Sequence, residues 1–146
     1  MKKKHILPNK PSALLRLAVG DAKKIERTPG YRLNMSVWHT GAGDNSDCEV
    51  CLAGSVMACT LKLDRTRSAG PGHADPGIEQ KLNFINDMRE GNLDAIENAV
   101  LFDDDGVKDK VNAIGRFISN HYNFGNDRAP WWVYLKAADR LEALGF

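Results

Sequence analysis

The segment that decides the fold is Ser46-Asp47-Cys48-Glu49-Val50-Cys51-Leu52-Ala53-Gly54-Ser55-Val56-Met57, near the middle of the chain. Ser46 is followed three residues later by Glu49, and this spacing matches a capping box, in which each side chain bonds a free N–H group of the first helical turn. The pattern predicts a helix that begins at Ser46 and runs to about Leu61.

The three cysteines of the chain all fall in this segment or just after it. At about 100° per residue, Cys48, Cys51 and Cys59 would share one helix face. One interpretation is that they are small apolar side chains buried in the core. Alternatively, a thiol in the first helical turn faces unpaired N–H groups and the positive end of the helix dipole, which lower its pKa. The carboxylates of Asp47 and Glu49 would oppose that effect on Cys48.

Two kinds of chemistry are compatible with the cysteines. A Cys–His enzyme would need His39, His73 or His121 within hydrogen-bond reach of a thiol, and Cys48 with His39 is the catalytic pair that we consider. Cys48 and Cys51 with His39 and one further ligand are the candidates for a tetrahedral zinc site. A single C-x-x-C is weak support for zinc, because no second such pair follows, and a redox pair is the remaining alternative.

A strand precedes the cysteine segment. Apolar side chains alternate with polar ones over Tyr31-Arg32-Leu33-Asn34-Met35-Ser36-Val37-Trp38, the period of a half-buried strand. One strand cannot satisfy its own backbone groups, so it needs a partner. Residues 60–63 are only a weak candidate for that partner, and His39 to Asn45 is expected to be a loop.

The rest of the chain is predicted to be helical. Apolar residues recur at helical spacing over about 12–27, 78–90, 93–102, 105–121 and 130–144, with a glycine-rich surface loop over 65–77. We therefore expect a mainly α fold, a compact bundle of about five or six helices with one short β-strand or hairpin near residues 31–38. Residues 1–11 are expected to form a basic N-terminal arm, and 12–146 a single helical domain.

Charge is distributed unevenly along the chain. The net charge is +1, but residues 1–32 hold nine basic against two acidic side chains. Lys2, Lys3 and Lys4 begin this basic stretch and are candidate binding residues for nucleic acid or an acidic protein surface. The alternative is a solvated tail, and no aromatic residues are interleaved to stack on single strands.

Trp131 and Trp132 are the other candidate binding residues. Adjacent helix positions point about 100° apart, so the two rings cannot enter the same part of the core. One ring would pack under the first helix while the other stays near the surface as an interface anchor. A second, satellite apolar cluster would accommodate it equally well.

Composition excludes some classes of protein. With 146 residues, 42% hydrophobic and 27% charged, the chain is typical of a globular domain. No apolar run approaches the roughly 18 residues needed to span a bilayer. Pro8 and Pro11 interrupt the sequence after the basic residues, so no signal-peptide pattern follows. We expect a cytoplasmic protein that does not insert into membranes.

Two blocks of this sequence resemble a pattern in small uncharacterised proteins of tailed bacteriophages. The first, N-x-M-x-x-W-H in that group, is compared with Tyr31 to His39, although Asn34 and Met35 are adjacent here, and the second is C-x-V-C-L-A-G-x-V-M-A, here Cys48 to Ala58. The segments Ser12 to Leu15 and Pro130 to Asp139 are also similar to that group. The resemblance covers about half the chain and implies no named activity. It implies phage origin, expression in the cytoplasm of an infected bacterium and a role in managing the host.

Function is predicted on this basis. The leading hypothesis is a phage-type accessory protein, more a binder than an enzyme, that engages a host or phage macromolecule for host takeover or against host defence. The alternatives are a thiol-dependent enzyme or zinc protein centred on Cys48 and Cys51, and a nucleic-acid binder that uses the basic N-terminal segment. No cofactor is expected unless the zinc alternative holds.

Overall fold

The computed structural model describes residues 7–73, 75–96, 105–122 and 127–146. The chain is mainly α-helical with a small sheet of short strands, as expected. The elements in chain order are α1 (Pro11–Glu26), β1 (Tyr31–Leu33), β2 (His39–Thr40), β3 (Cys48–Val50), α2 (Leu52–Cys59), a 3₁₀ turn (Pro71–His73), α3 (Pro76–Met88), α4 (Asp105–Asn120) and α5 (Trp131–Ala143).

Helix α1 is the central packing element, with α5 on one side and α2 on the other. Proline suits its first position, Pro11, because the N–H that proline lacks has no partner there anyway. The helix ends before Pro29-Gly30, where Gly30 adopts a positive φ of 85°. Leu15, Ala18 and Ala22 on the buried face are fully enclosed. The sequence-based limits of this helix agree with the structure to within one residue at each end.

The strand predicted over Tyr31 to Trp38 is wrong in its extent. It stops at Leu33, because the side-chain oxygen of Asn34 accepts the backbone N–H of Ser36 and turns the chain. A second short strand, β2, then starts at His39, in what the sequence suggested was a loop. The weak partner suggested at residues 60–63 is not a strand in the structure.

The helix predicted from Ser46 is also wrong at its start, and this is the largest correction. Cys48–Val50 forms β3, the middle strand of the order β1-β3-β2, parallel to β1 and antiparallel to β2. The expected capping box is absent, since the Ser46 hydroxyl instead accepts the N–H of Gly43. Backbone pairing on both sides of β3 satisfies more groups than one extra helical turn would.

Helix α2 therefore begins at Leu52, and Cys51 takes the capping position with its thiol accepting the N–H of Gly54. Because Cys48 now lies in a strand, the three cysteines do not share a helix face. Gly54 packs directly on the preceding chain: a Cβ added there would lie 1.7 Å from the carbonyl oxygen of Trp38. This close approach locks α2 onto the residues that connect β1 to β2.

The second half agrees well with the sequence-based expectations. Helices α3, α4 and α5 begin and end within about two residues of their predicted limits. The short helix expected over 93–102 is seen at residues 94–96, and its remainder lies outside the described residues. Leu7, assigned to the N-terminal arm, is buried in the core, so the end of that arm packs against the domain.

None of the helices in the described ranges is both long enough and apolar enough to cross a membrane.

Candidate functional site

Strands β2 and β3 bring together His39 and Cys48, the pair considered from the sequence. His39 pairs with Val50 in the antiparallel register, so Cys48, two residues from Val50, is its diagonal neighbour on the same sheet face. The Cys48 Sγ lies 3.6 Å from His39 Nε2 and 3.9 Å from Nδ1. Both residues are buried, with 0% and 2% of their surface exposed.

The orientation of the His39 ring is fixed by its other nitrogen. Nδ1 lies 2.7 Å from the backbone carbonyl oxygen of Arg67. A carbonyl oxygen only accepts, so Nδ1 carries a proton, and in the tautomer with the proton on Nδ1 alone Nε2 keeps a lone pair that faces the thiol. The Cys48 S–H group then donates to Nε2. The Cys48 thiol, the His39 ring as a base and the Arg67 carbonyl that orients this ring therefore have the arrangement that nucleophilic catalysis uses.

Burial decides the resting state of this pair. It raises the pKa of the Cys48 thiol, with the positive charge of Arg65 opposing the effect. The expectation of a lowered pKa at a helix start is therefore wrong, because Cys48 is in a strand. Loss of solvent, rather than the flanking carboxylates, is the main cause of the raised value. Cys48 is therefore a protonated thiol at neutral pH.

A surface segment, Arg65–Ala69, closes over the pair, and we call it the cover segment. The backbone N–H of Ala69 donates to the His39 carbonyl at 2.9 Å, and that of Ala42 donates to the Arg65 carbonyl at 2.8 Å. A Cβ added at Gly41 would lie 2.3 Å from the Thr66 carbonyl oxygen. The cover segment is therefore in direct backbone contact with β2 and the residues after it.

The other two thiols have separate environments. Cys51 is 1% exposed, and burial raises the pKa of its thiol against the opposing N–H groups of Gly54 and Ala53. Cys59 is partly exposed and donates to the backbone carbonyl of Asp21 at 3.7 Å. All three cysteines are free thiols.

The zinc hypothesis finds no ligand set in the part of the chain that the structure describes. No group of three or more His, Cys, Asp or Glu side chains there is arranged to hold a metal ion. Of the other histidines, His121 bonds the Phe117 carbonyl of its own helix through Nδ1, and the side chain of His73 lies outside the described residues. Among the described residues, Cys48 and His39 thus form a pair without the further ligands that zinc requires.

The two adjacent tryptophans take different environments, as their angular separation requires. The Trp131 Nε1–H donates to Glu26 on α1 at 3.0 Å, and the Arg128 guanidinium lies over the indole, 3.6 Å from its centroid. Trp132 is 54% exposed and is the exposed large apolar side chain of the described residues.

Trp132 belongs to an aromatic patch on α4 and α5, formed by Phe117, His121, Trp132 and Arg140. The Trp132 ring meets His121 edge-on with centroids 5.3 Å apart, and Phe117 at 6.1 Å. The Arg140 guanidinium lies 4.4 Å from the Phe117 centroid. These contacts hold the exposed indole in one position.

A cleft of about 310 Å³ beside β1 was not found by sequence reasoning. It is lined by Leu33, Asn34 and Met35, which face Glu26, Arg32, Asp127 and Arg128. These residues come from two distant parts of the chain, 26–35 and 127–128, and no spacing in the sequence relates the two parts. In the structure, Asp127 adopts a positive φ of 54°, which is uncommon for a residue other than glycine.

A larger cavity of about 490 Å³ lies between the start of α1 and α3. Leu14, Phe84, Ile96 and Phe146 are among the side chains that line it. Its cation, Lys81, already donates to the Leu7 carbonyl and to the Asn9 side chain. The cavity therefore offers apolar surface, and the ammonium group of Lys81 is already hydrogen-bonded within the protein.

Lys2, Lys3 and Lys4 lie outside the described residues, so their binding role stays a prediction. Comparison of the chain with models of known protein families, with curated proteins and with solved structures finds no match.

Proposed function

We propose that this protein acts by binding a protein partner through the aromatic patch around Trp132, without catalysis. The observation that carries the proposal is the exposure of this large indole together with its fixed orientation. Exposed aromatic side chains that are already ordered are typical anchors of protein interfaces, because little conformational entropy is lost when they bind. Burying the exposed half of the ring would stabilise a complex by about 2–4 kcal/mol.

The surroundings of Trp132 indicate the charge of the partner. Lys136 follows Trp132 by one helical turn on α5, and Arg140 follows by a second turn, so all three share a face. Lys136 and Arg140 are exposed. A partner surface with an apolar pocket and an acidic rim would complement this face.

The role we propose is that of a tailed-phage accessory protein, as the resemblance in the sequence implies. A small rigid domain can occlude a host surface without any chemistry, and this would take place in the cytoplasm of an infected bacterium. Host takeover and defence against host immunity are both roles of this type.

Affinity capture tests the proposal. The tagged protein is incubated with lysate of an infected bacterium beside two variants, Trp132→Ala and Lys23→Ala. Lys23 is an exposed residue of α1 and serves as the control. We expect one stoichiometric partner that is retained by the wild type and by the Lys23 variant and is lost at least tenfold with Trp132→Ala. Equal capture of the partner by the wild type and by Trp132→Ala would contradict the proposal, as would turnover of a small substrate without any partner.

A second candidate function, thiol-dependent chemistry, is favoured by the 3.6 Å approach of Cys48 Sγ to His39 Nε2. It requires the cover segment to open, since the sulfur is fully buried. The test is alkylation by iodoacetamide, followed by mass spectrometry, under native conditions. Chemistry at this pair predicts that Cys48 reacts faster than the equally buried Cys51 and that His39→Gln slows it. Equal protection of both thiols until global unfolding would exclude this candidate.

A further inference from the structure

Strand β1 has an open edge. The sheet order places it at one side, with β3 as its only neighbour among the described residues. The backbone groups of Gly30 and Asn34 point towards β3. The N–H of Cys48 donates to the Gly30 carbonyl at 2.9 Å, and the N–H of Asn34 donates to the Val50 carbonyl at 2.8 Å. In a parallel ladder alternate residues point the opposite way, so the N–H and carbonyl of Leu33 face outward.

Leu33 keeps both of these backbone groups unpaired within the described part of the chain. The opposite edge of the sheet differs, because Ala69 of the cover segment bridges His39 of β2. An unpaired strand edge is a template for a further strand, which would lie about 4.8 Å away. In this molecule that space is the cleft lined by Leu33, Asn34 and Met35.

The size of the cleft restricts what can enter. Glu26, Asp127 and Arg128 line the same space of about 310 Å³ as Leu33. A lone extended segment brings only its own backbone and side chains into this space, whereas the edge strand of a second copy would bring the rest of its sheet with it. The site therefore suits a lone extended peptide.

Charge in the cleft is unbalanced at one position. Arg32 is paired with Glu49, and Glu26 accepts the Trp131 indole N–H. Arg128 is half-buried and forms no ion pair with any described carboxylate, although Glu26 is near enough to favour its charge. Its guanidinium donates to the backbone carbonyl of Ala129. Burial lowers the pKa of Arg128, and the Glu26 carboxylate opposes this effect. The guanidinium also lies over the Trp131 indole, 3.6 Å from its centroid.

We propose that the open edge of β1 is a strand-addition site for an extended segment of a partner protein that carries one acidic side chain. The partner backbone pairs with the N–H and carbonyl of Leu33, and its carboxylate meets the guanidinium of Arg128. The carboxylates of Glu26 and Asp127 disfavour a run of acids, so neutral residues flank the single acid. This inference rests on the proposed binding function but uses a surface separate from the aromatic patch.

The test uses a pool of nine-residue peptides with alternating Val and Thr positions, varied flanks and a central Glu, selected on the immobilised full-length protein. We expect enriched peptides whose affinity falls about tenfold when Glu becomes Gln and at least tenfold when the backbone nitrogen that meets Leu33 is methylated. Backbone methylation removes a donor without altering the protein. NMR should show the Leu33 amide shifting on binding.

Variants separate this site from the aromatic patch. Arg128→Gln should weaken the peptides about tenfold, whereas Arg32→Gln, in the same cleft but paired with Glu49, should change affinity less than threefold. Trp132→Ala should bind the peptides as the wild type does. The inference would be overturned if the wild type enriched no peptides beyond those that Arg128→Gln enriches, or if peptide binding survived backbone methylation. A dimer formed through β1 and seen in sedimentation would also overturn it. Loss of lysate capture in Trp132→Ala with intact peptide binding would show the two surfaces to be independent.

Discussion

Cys48 Sγ and His39 Nε2 lie 3.6 Å apart on neighbouring strands, beneath a cover segment that also fixes the other ring nitrogen. The pair is sealed from solvent in the resting protein. Access to Cys48 is therefore governed by how often the cover segment opens, which local exchange and labelling experiments can measure.

Gly41→Ala should increase that opening. The added Cβ would lie 2.3 Å from the Thr66 carbonyl oxygen, so the cover segment must move away. We expect native-state alkylation of Cys48 to accelerate about tenfold, equivalent to about 1.4 kcal/mol of opening, while Cys51 stays protected. Gly70→Ala is the control, because a Cβ there meets nothing within 4 Å. An unchanged Cys48 rate in Gly41→Ala would show that the cover segment does not control access.

Gly54→Ala and Gly20→Ala form a matched pair of helix substitutions with opposite expected signs. In α2, the Cβ at position 54 would lie 1.7 Å from the Trp38 carbonyl oxygen, so the free energy of unfolding should fall by about 3 kcal/mol or more. Gly20, exposed on α1, has open space around its Cβ, and Gly20→Ala should raise stability by about 0.5–1 kcal/mol. Urea unfolding measures both, and similar effects at the two sites would contradict the close packing of α2.

Tyr134 should control stability at alkaline pH. Its buried hydroxyl donates to the Arg89 carbonyl at 2.6 Å and accepts the Ala129 N–H at 3.0 Å. Burial raises the pKa of Tyr134 from 10.0 to about 12. The unfolded chain ionises first, so the stability that the neutral phenol contributes is present below pH 10 and is lost as the pH rises through about 12.

Tyr134→Phe tests this linkage. It leaves the Arg89 carbonyl and the Ala129 N–H without partners, so stability at pH 7 should fall by about 2–4 kcal/mol. The difference between variant and wild type should shrink by about 2 kcal/mol between pH 10 and pH 12, because the variant cannot ionise there. Urea unfolding across that range gives the difference directly. A constant difference would mean that the phenol is not protected in the folded state.

Asp21→Asn should be at least as stable as the wild type at neutral pH. Asp21 is buried on α1, and loss of solvent raises the pKa of its carboxyl, although the Thr60 hydroxyl donates to it at 2.6 Å. Because the pKa of Asp21 is higher in the folded than in the unfolded chain, its protonated carboxyl stabilises the protein below the unfolded value of 3.8. This contribution is lost as the pH rises through the folded pKa. An asparagine oxygen can still accept from Thr60.

The check on Asp21→Asn is the pH dependence of its stability relative to the wild type. The advantage of the variant at pH 7 should disappear as the pH falls towards 3.8, where Asp21 becomes protonated in both states. Comparing the two proteins at each pH cancels the other titrating groups, including Asp87, whose pKa is also raised by burial. A variant that is less stable at every pH would show that the ionised carboxylate is favoured in its site.

Local sequence signals were sufficient where one helix face decides the structure. Helices α1, α4 and α5 follow from apolar spacing with proline and glycine at their ends, and the angular separation of Trp131 and Trp132 follows from helix geometry. Pattern reasoning failed over residues 46–51, because the capping-box residues are present but the backbone found partners in β1 and β2 instead. Long-range pairing overrode the local preference.

The sequence by itself determined the mainly helical class and the limits of most helices, and it offered Cys48 and His39 as one candidate pair among several. Only the tertiary structure decided that Cys48 and His39 are buried and that the Cys48 thiol stays protonated. It also decided that β1 keeps an open edge beside Arg128. The physical reason is that helix periodicity is a property of neighbouring residues, whereas burial, pKa and strand pairing depend on segments such as 65–69 and 127–128, which approach from distant parts of the chain.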